Sequence, residues 1–166
     1  MSAEKAKEAT KMKEPYAKLH GFYFEDLKQG MKASYAKTIK DSDVINFANI
    51  TGDTNPVHLN QEFASNTLFE GRVIHGMLTA SIISTVIGTK LPGPGCIYVS
   101  QNLHFKAPVK VGDTITAVCK VIKIIPDKQM VTMDTICCVG NTVVLQGQAT
   151  ILVPLRPKER YDALST

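Results

Sequence analysis

Residues 76–89 read GMLTASIISTVIGT, the longest apolar stretch of the chain without a strong breaker. Its hydrophobic residues fall on nearly all sides of a helix, which predicts a helix buried around most of its circumference. LPGPG at 91–95 ends it, because proline cannot continue the hydrogen-bond ladder. Beyond that point the chain turns strand-like. CIYVSQNLHFKAP (96–108), DTITAVCKVIKII (113–125), MVTMDTICCV (130–139) and TVVLQGQATILVP (142–154) carry the β-branched and aromatic bias of strands. VKVGD, PDKQ and GN separate them as turn signals. Four consecutive strands after one buried helix predict an antiparallel sheet curled around that helix. This is an α+β domain with no repeats and no internal linker.

Upstream, FYFEDLKQGMKASYAKTI (22–39) reads as an entry loop, a break at Gly30 and a strand from about Lys32 to Ile39. KDSDVINFANITGD (40–53) predicts a short helix capped by Asp41 or Ser42, with Val44, Ile45, Phe47, Ala48 and Ile50 apolar and Gly52 as the stop. TGDTNP (51–56) is a turn by composition. LNQEFASNTLF (59–69) predicts another short helix, capped at Asn60.

With 166 residues, 44% of them hydrophobic, the chain can bury one substantial core. Residues 21–155 are expected to form that domain, between a polar N-terminal tail (1–20) and a C-terminal tail (156–166). The net charge of +4 is diluted, and arginine occurs only at positions 72, 156 and 160. No basic stripe carries interleaved aromatics, so nucleic acid is not an expected partner. No run approaches the roughly 18 apolar residues of a membrane span. Cys96, Cys119, Cys137 and Cys138 form no CxxC, and no apolar signal segment opens the sequence. Free core thiols in a reducing, cytoplasmic compartment are the expectation.

Two segments could carry chemistry. In TGDTNPVHLN (51–60), Asp53 and His58 flank Pro56. One reading is an Asx-type turn in which His58 is incidental. The other is a carboxylate and an imidazole converging on one water, able to activate it and return a proton, with Pro56 fixing their separation. In VIHGMLTASIIS (73–84), Gly76 opens the buried helix, so its N–H sits at the positive end of the helix dipole and could stabilise a carbonyl oxygen gaining charge. The alternative is that Gly76 only permits close packing while His75 caps locally. Ser84, two turns further on, lies near the face of Gly76, or is an ordinary core-facing hydroxyl. His20, His58, His75 and His104 are scattered without ligand spacing, so no metal site is expected. Neither a GxSxG elbow nor a phosphate loop is present.

FANITGDTNPVHLNQEFA, GRVIHGMLTASIIS and LPGPGCIYVSQNLHFKAPVKVGDTI together resemble the MaoC-like, R-specific enoyl-CoA hydratase family of the hot-dog fold, over roughly residues 22–154. The resemblance rests on a D-x-N-P-x-H motif and on the separation of the HGM segment from it. It implies Asp53 and His58 as the catalytic pair, the Gly76 N–H as part of an oxyanion hole, and Asn55 and Ser84 as support for the carboxylate. It also implies reversible hydration of a trans-2-enoyl thioester of CoA or acyl-carrier protein to the (R)-3-hydroxyacyl thioester, without a cofactor, in a homodimer. Phe63, Leu68, Phe69, Leu78, Ile82 and Ile83, close to these motifs in sequence, are candidate walls for a short to medium acyl chain. A hot-dog thioesterase and a non-catalytic acyl-CoA-binding protein are the other readings. The hydratase motif argues against the first, and the presence of both Asp53 and His58 argues against the second.

Overall fold

The computed structural model describes residues 16–156, and most of both expected tails lies outside them. The described chain runs β1 (Lys32–Thr38), α1 (Asp41–Thr51), α2 (Pro56–Leu59), α3 (Gln61–Ser65), α4 (Gly76–Thr89), β2 (Ile97–Phe105), β3 (Thr114–Ile125), β4 (Met130–Val139) and β5 (Thr142–Leu152). The five strands form one antiparallel sheet in the order β1-β3-β4-β5-β2. Gly140 and Asn141 make the two-residue turn between β4 and β5, and Val139 pairs with Thr142 across it. Gly140 takes φ 55, a conformation that suits glycine at such a turn.

Strand alternation decides what the sheet offers the helix. Ile115, Ala117, Cys119 and Val121 of β3, with Val131, Met133 and Cys137 of β4, are all fully buried. They form one core with Leu78, Ile82, Ile83, Val86 and Ile87 of α4. Burying each such helix side chain is worth about 1.5–3 kcal/mol before entropy is counted. This is the sheet-around-a-helix arrangement of the hot-dog fold.

The helix departs from the sequence expectation on its far side. Met77, Ser81, Ser84 and Gly88, spaced four, three and four apart, form an exposed stripe, with Met77 56% exposed. A helix lying on one sheet face can bury only the side turned to that sheet. Ser84 therefore points outward and is not core-facing. The start of α1 also differs, because its N-cap is Lys40 and neither Asp41 nor Ser42. The Asp43 carboxylate accepts the Lys40 N–H at 2.8 Å, and that bond chiefly holds its carboxyl below the usual carboxylate range. Asn60 caps α3 as expected, accepting the Phe63 N–H at 2.9 Å.

Arg156, placed by the sequence at the head of a tail, is tied to the domain. Its guanidinium bonds both Asp26 carboxylate oxygens at 2.6 and 2.7 Å and lies 4.7 Å from the centre of the Tyr23 ring.

Candidate active site

The site is assembled by the turn that leaves α1. Gly52 adopts φ 76, and its N–H bonds the Ala48 carbonyl at 2.8 Å, closing the helix. Thr51 then donates its hydroxyl to the Phe47 carbonyl at 2.7 Å and accepts the Asp53 N–H at 3.2 Å. The Asn55 N–H donates to the Asp53 carboxylate at 3.3 Å. The Asn55 side chain does something else. Its Oδ1 accepts the Val57 N–H at 3.2 Å and caps α2, whose first residue is Pro56. Asn55 thus supports the carboxylate with its backbone and the His58 helix with its side chain.

His58 sits half-buried on that single turn of helix. Its Nδ1 lies 2.8 Å from the Val73 carbonyl. A carbonyl can only accept, so Nδ1 carries a proton, and in the neutral ring Nε2 is the nitrogen with the lone pair. Arg72 fixes the turn from below, with Nε donating to the His58 carbonyl at 2.7 Å and its guanidinium paired with Asp41 at 2.7 Å.

His75, which precedes Gly76, is 1% exposed. Its Nε2 donates to the Asp53 backbone carbonyl at 2.9 Å, and its ring centre lies 3.9 Å from that of His58. A carboxylate oxygen of Asp53 and one ring nitrogen each of His58 and His75 lie within 4.8 Å of one another. Histidines that looked scattered in sequence thus converge in space. The two rings touch at a tilt of 34°, and each commits one nitrogen to a carbonyl.

A cavity of about 460 Å³ opens at this point, within the usual range for small-ligand sites. His58, Asn55, Gly76 and Thr79 supply its polar or backbone groups, Lys106 its cation, and Phe69, Phe105 and Val144 part of its apolar wall. Among the described residues no backbone carbonyl takes the Gly76 N–H. A Cβ on Gly76 would come within 2.9 Å of the Phe105 ring, so glycine is required for the close approach as well.

Of the six expected wall residues only Phe69 lines this cavity. Leu78, Ile82 and Ile83 face the sheet within the core, while Phe63 and Leu68 are 49% and 86% exposed. Nearness in sequence misplaced them, because successive helical residues point in different directions. Ser84 does not line the cavity either. The walls that sequence missed, Phe105 and Val144, come from β2 and β5 far down the chain.

Fold and site together define a hot-dog domain with a carboxylate and a histidine brought together near the N-terminus of its central helix. Residues 24–141 match the model of the MaoC like domain. The chain is 54% identical over 134 residues to an (R)-specific enoyl-CoA hydratase of Rhodospirillum rubrum, covering 81% of this chain and 93% of the relative. It is 46% identical over 147 residues to a 3-hydroxybutyryl-CoA dehydratase of Methylorubrum extorquens, covering 89% and 92%. The unliganded R-hydratase PhaJ1 of Pseudomonas aeruginosa superposes with a TM-score of 0.78 at 39% identity, over 82% of this chain and 88% of that one. The chain belongs to the MaoC-like family.

Proposed function

We propose that the protein is an (R)-specific enoyl-CoA hydratase, equally a 3-hydroxyacyl thioester dehydratase in reverse. The observation that carries this reading is the convergence of the Asp53 carboxylate and His58, across Pro56, with His58 on the wall of a cavity that Gly76 also lines. A trans-2-enoyl thioester places its carbonyl oxygen on that N–H, which draws electron density from the double bond and makes C3 electrophilic. Water held between Asp53 and His58 attacks C3. The pair takes one proton from the water and returns one to C2, so OH and H add across the bond with no cofactor. The 3-hydroxyacyl thioester leaves with its thioester bond intact.

The acyl chain runs along the Phe69, Phe105 and Val144 wall, and its bulk favours short to medium chains. The carrier is CoA or acyl-carrier protein. Two chains pair as a homodimer. Strand β2 supports this, since it bonds β5 along one edge only and exposes Ile97, Val99 and Phe105 at 56, 49 and 53%. The outward stripe of α4 supports it as well. We place the enzyme in the cytoplasm, in keeping with four unpaired cysteines, and no helix among the described residues is long and apolar enough to cross a membrane.

Crotonyl-CoA tests the reading. Loss of the enoyl absorbance, with no free thiol and with (R)-3-hydroxybutyryl-CoA as product, is the expected result. Thiol release would make it a thioesterase, and an (S) product would reverse the assigned face of attack.

A further inference from the structure

His75 has no part in the water addition described above, yet it touches every element that takes part. Its ring lies between the Phe47 ring of α1, 5.0 Å away, and the His58 ring of α2, 3.9 Å away. Its Nε2–H holds the backbone carbonyl of Asp53 at 2.9 Å. Its own carbonyl accepts the N–H groups of Leu78 and Thr79, at 3.1 and 3.2 Å, in the first turn of α4. Its Nδ1 is buried and has no hydrogen-bond partner among the described residues. A buried polar atom without a partner is costly, on the order of 1–3 kcal/mol, and such groups are uncommon in folded proteins. A phenylalanine or leucine would fill the same space without that cost. The donor on the opposite nitrogen is what an apolar side chain could not supply.

From this we infer that His75 is a positioning residue of the reaction. It fixes the Asp53 backbone through the Nε2–H bond and backs the His58 ring by tilted ring contact, so that carboxylate and imidazole stand at one separation. The inference rests on the hydratase reading above. Asp53 is itself exposed, and among the described residues only the Asn55 N–H, at 3.3 Å, orients its carboxylate. Without the His75 bond the Asp53 backbone keeps its Thr51 contact within the turn but loses its tie to the start of α4, and a displacement of about 1 Å at a reacting group costs about 10²-fold in rate. The role requires the Nε2–H tautomer, because a carbonyl accepts only a proton-bearing nitrogen.

Two variants separate positioning from packing. His75→Phe keeps a ring against His58 and removes the donor. His75→Gln keeps an N–H at a similar reach and removes the ring. Crotonyl-CoA hydration by His75→Phe should fall about 10²-fold in kcat, with KM within about threefold of wild type and an unchanged thermal midpoint. His75→Gln should recover at least tenfold of that loss, which a purely structural role does not predict. A His75→Phe variant within about threefold of wild-type kcat, or a His75→Gln variant as slow as His75→Phe, overturns the inference. If His75→Phe does not fold, His75→Gln decides alone, a kcat within about tenfold of wild type supporting the role and a larger loss overturning it. Nitrogen-15 NMR of the wild-type chain gives a readout independent of turnover. The Nε2–H tautomer is expected at His75 even if crotonyl-CoA proves not to be a substrate, and the Nδ1–H tautomer overturns the inference either way.

Discussion

At the residue scale the candidate site is a set of hydrogen bonds around Asp53, His58 and His75. Asn55 illustrates how little redundancy there is. Its side chain is the only cap on the four-residue helix that carries His58. Asn55→Ala should destabilise the protein by about 1 kcal/mol, read from denaturant melts, and should slow hydration about tenfold by loosening His58. Gly76→Ala fails for a different reason, since the new Cβ meets the Phe105 ring at 2.9 Å. The ring must move into the cavity it lines, so KM for crotonyl-CoA should rise as kcat falls. The Asp53–His58 pairing was legible in the sequence because proline and the Asn cap act over a few residues. The contact of His75 with His58 was not, since nothing local brings together positions so far apart along the chain.

At the scale of elements, α1 and α4 depend on different forces. The start of α1 rests on the Asp43 carboxylate, and Asp43→Ala should cost about 1 kcal/mol. The folded protein holds this carboxyl below its ordinary value of 3.8, first through the Lys40 N–H and then, against a desolvation penalty, through Lys37. A depressed folded value means the contribution is complete above 3.8 and disappears as pH falls below it. The gap between the wild-type and Asp43→Ala melts should therefore close in acid. Helix α4 is held by burial, and Ile83→Ala should destabilise by about 2–5 kcal/mol while leaving KM unchanged. Its apolar composition identified the helix, but composition alone did not show which side met the sheet. The small residues Ser81, Ser84 and Gly88 mark the open side only once β3 and β4 are in place.

At the scale of the molecule, one sheet and one helix leave surface that a second copy would cover. Light scattering should report a dimer, and a fully active monomer would contradict that. Burial pushes the Cys119 and Cys137 thiols up to about 12, so both should resist alkylation at pH 8 until the chain is denatured. Chelators should leave activity intact. Strand number, strand bounds and the helix-then-strands order were readable from β-branched runs and turn residues. The strand order β1-β3-β4-β5-β2 was not, because β2 crosses to pair with β5 and no local signal encodes that choice. The same crossing brings Phe105 to the cavity, which is why the cavity wall could not be read from residues near the motif.

The central claim is that Asp53 and His58 together add water to an enoyl thioester. Its most direct measurement is the initial rate of enoyl absorbance loss with crotonyl-CoA, for wild type, Asp53→Asn and His58→Gln side by side. The wild type should turn over, and each variant should fall by about 10²–10⁴-fold with its fold and melting temperature preserved. Near-wild-type turnover in either folded variant would contradict the claim.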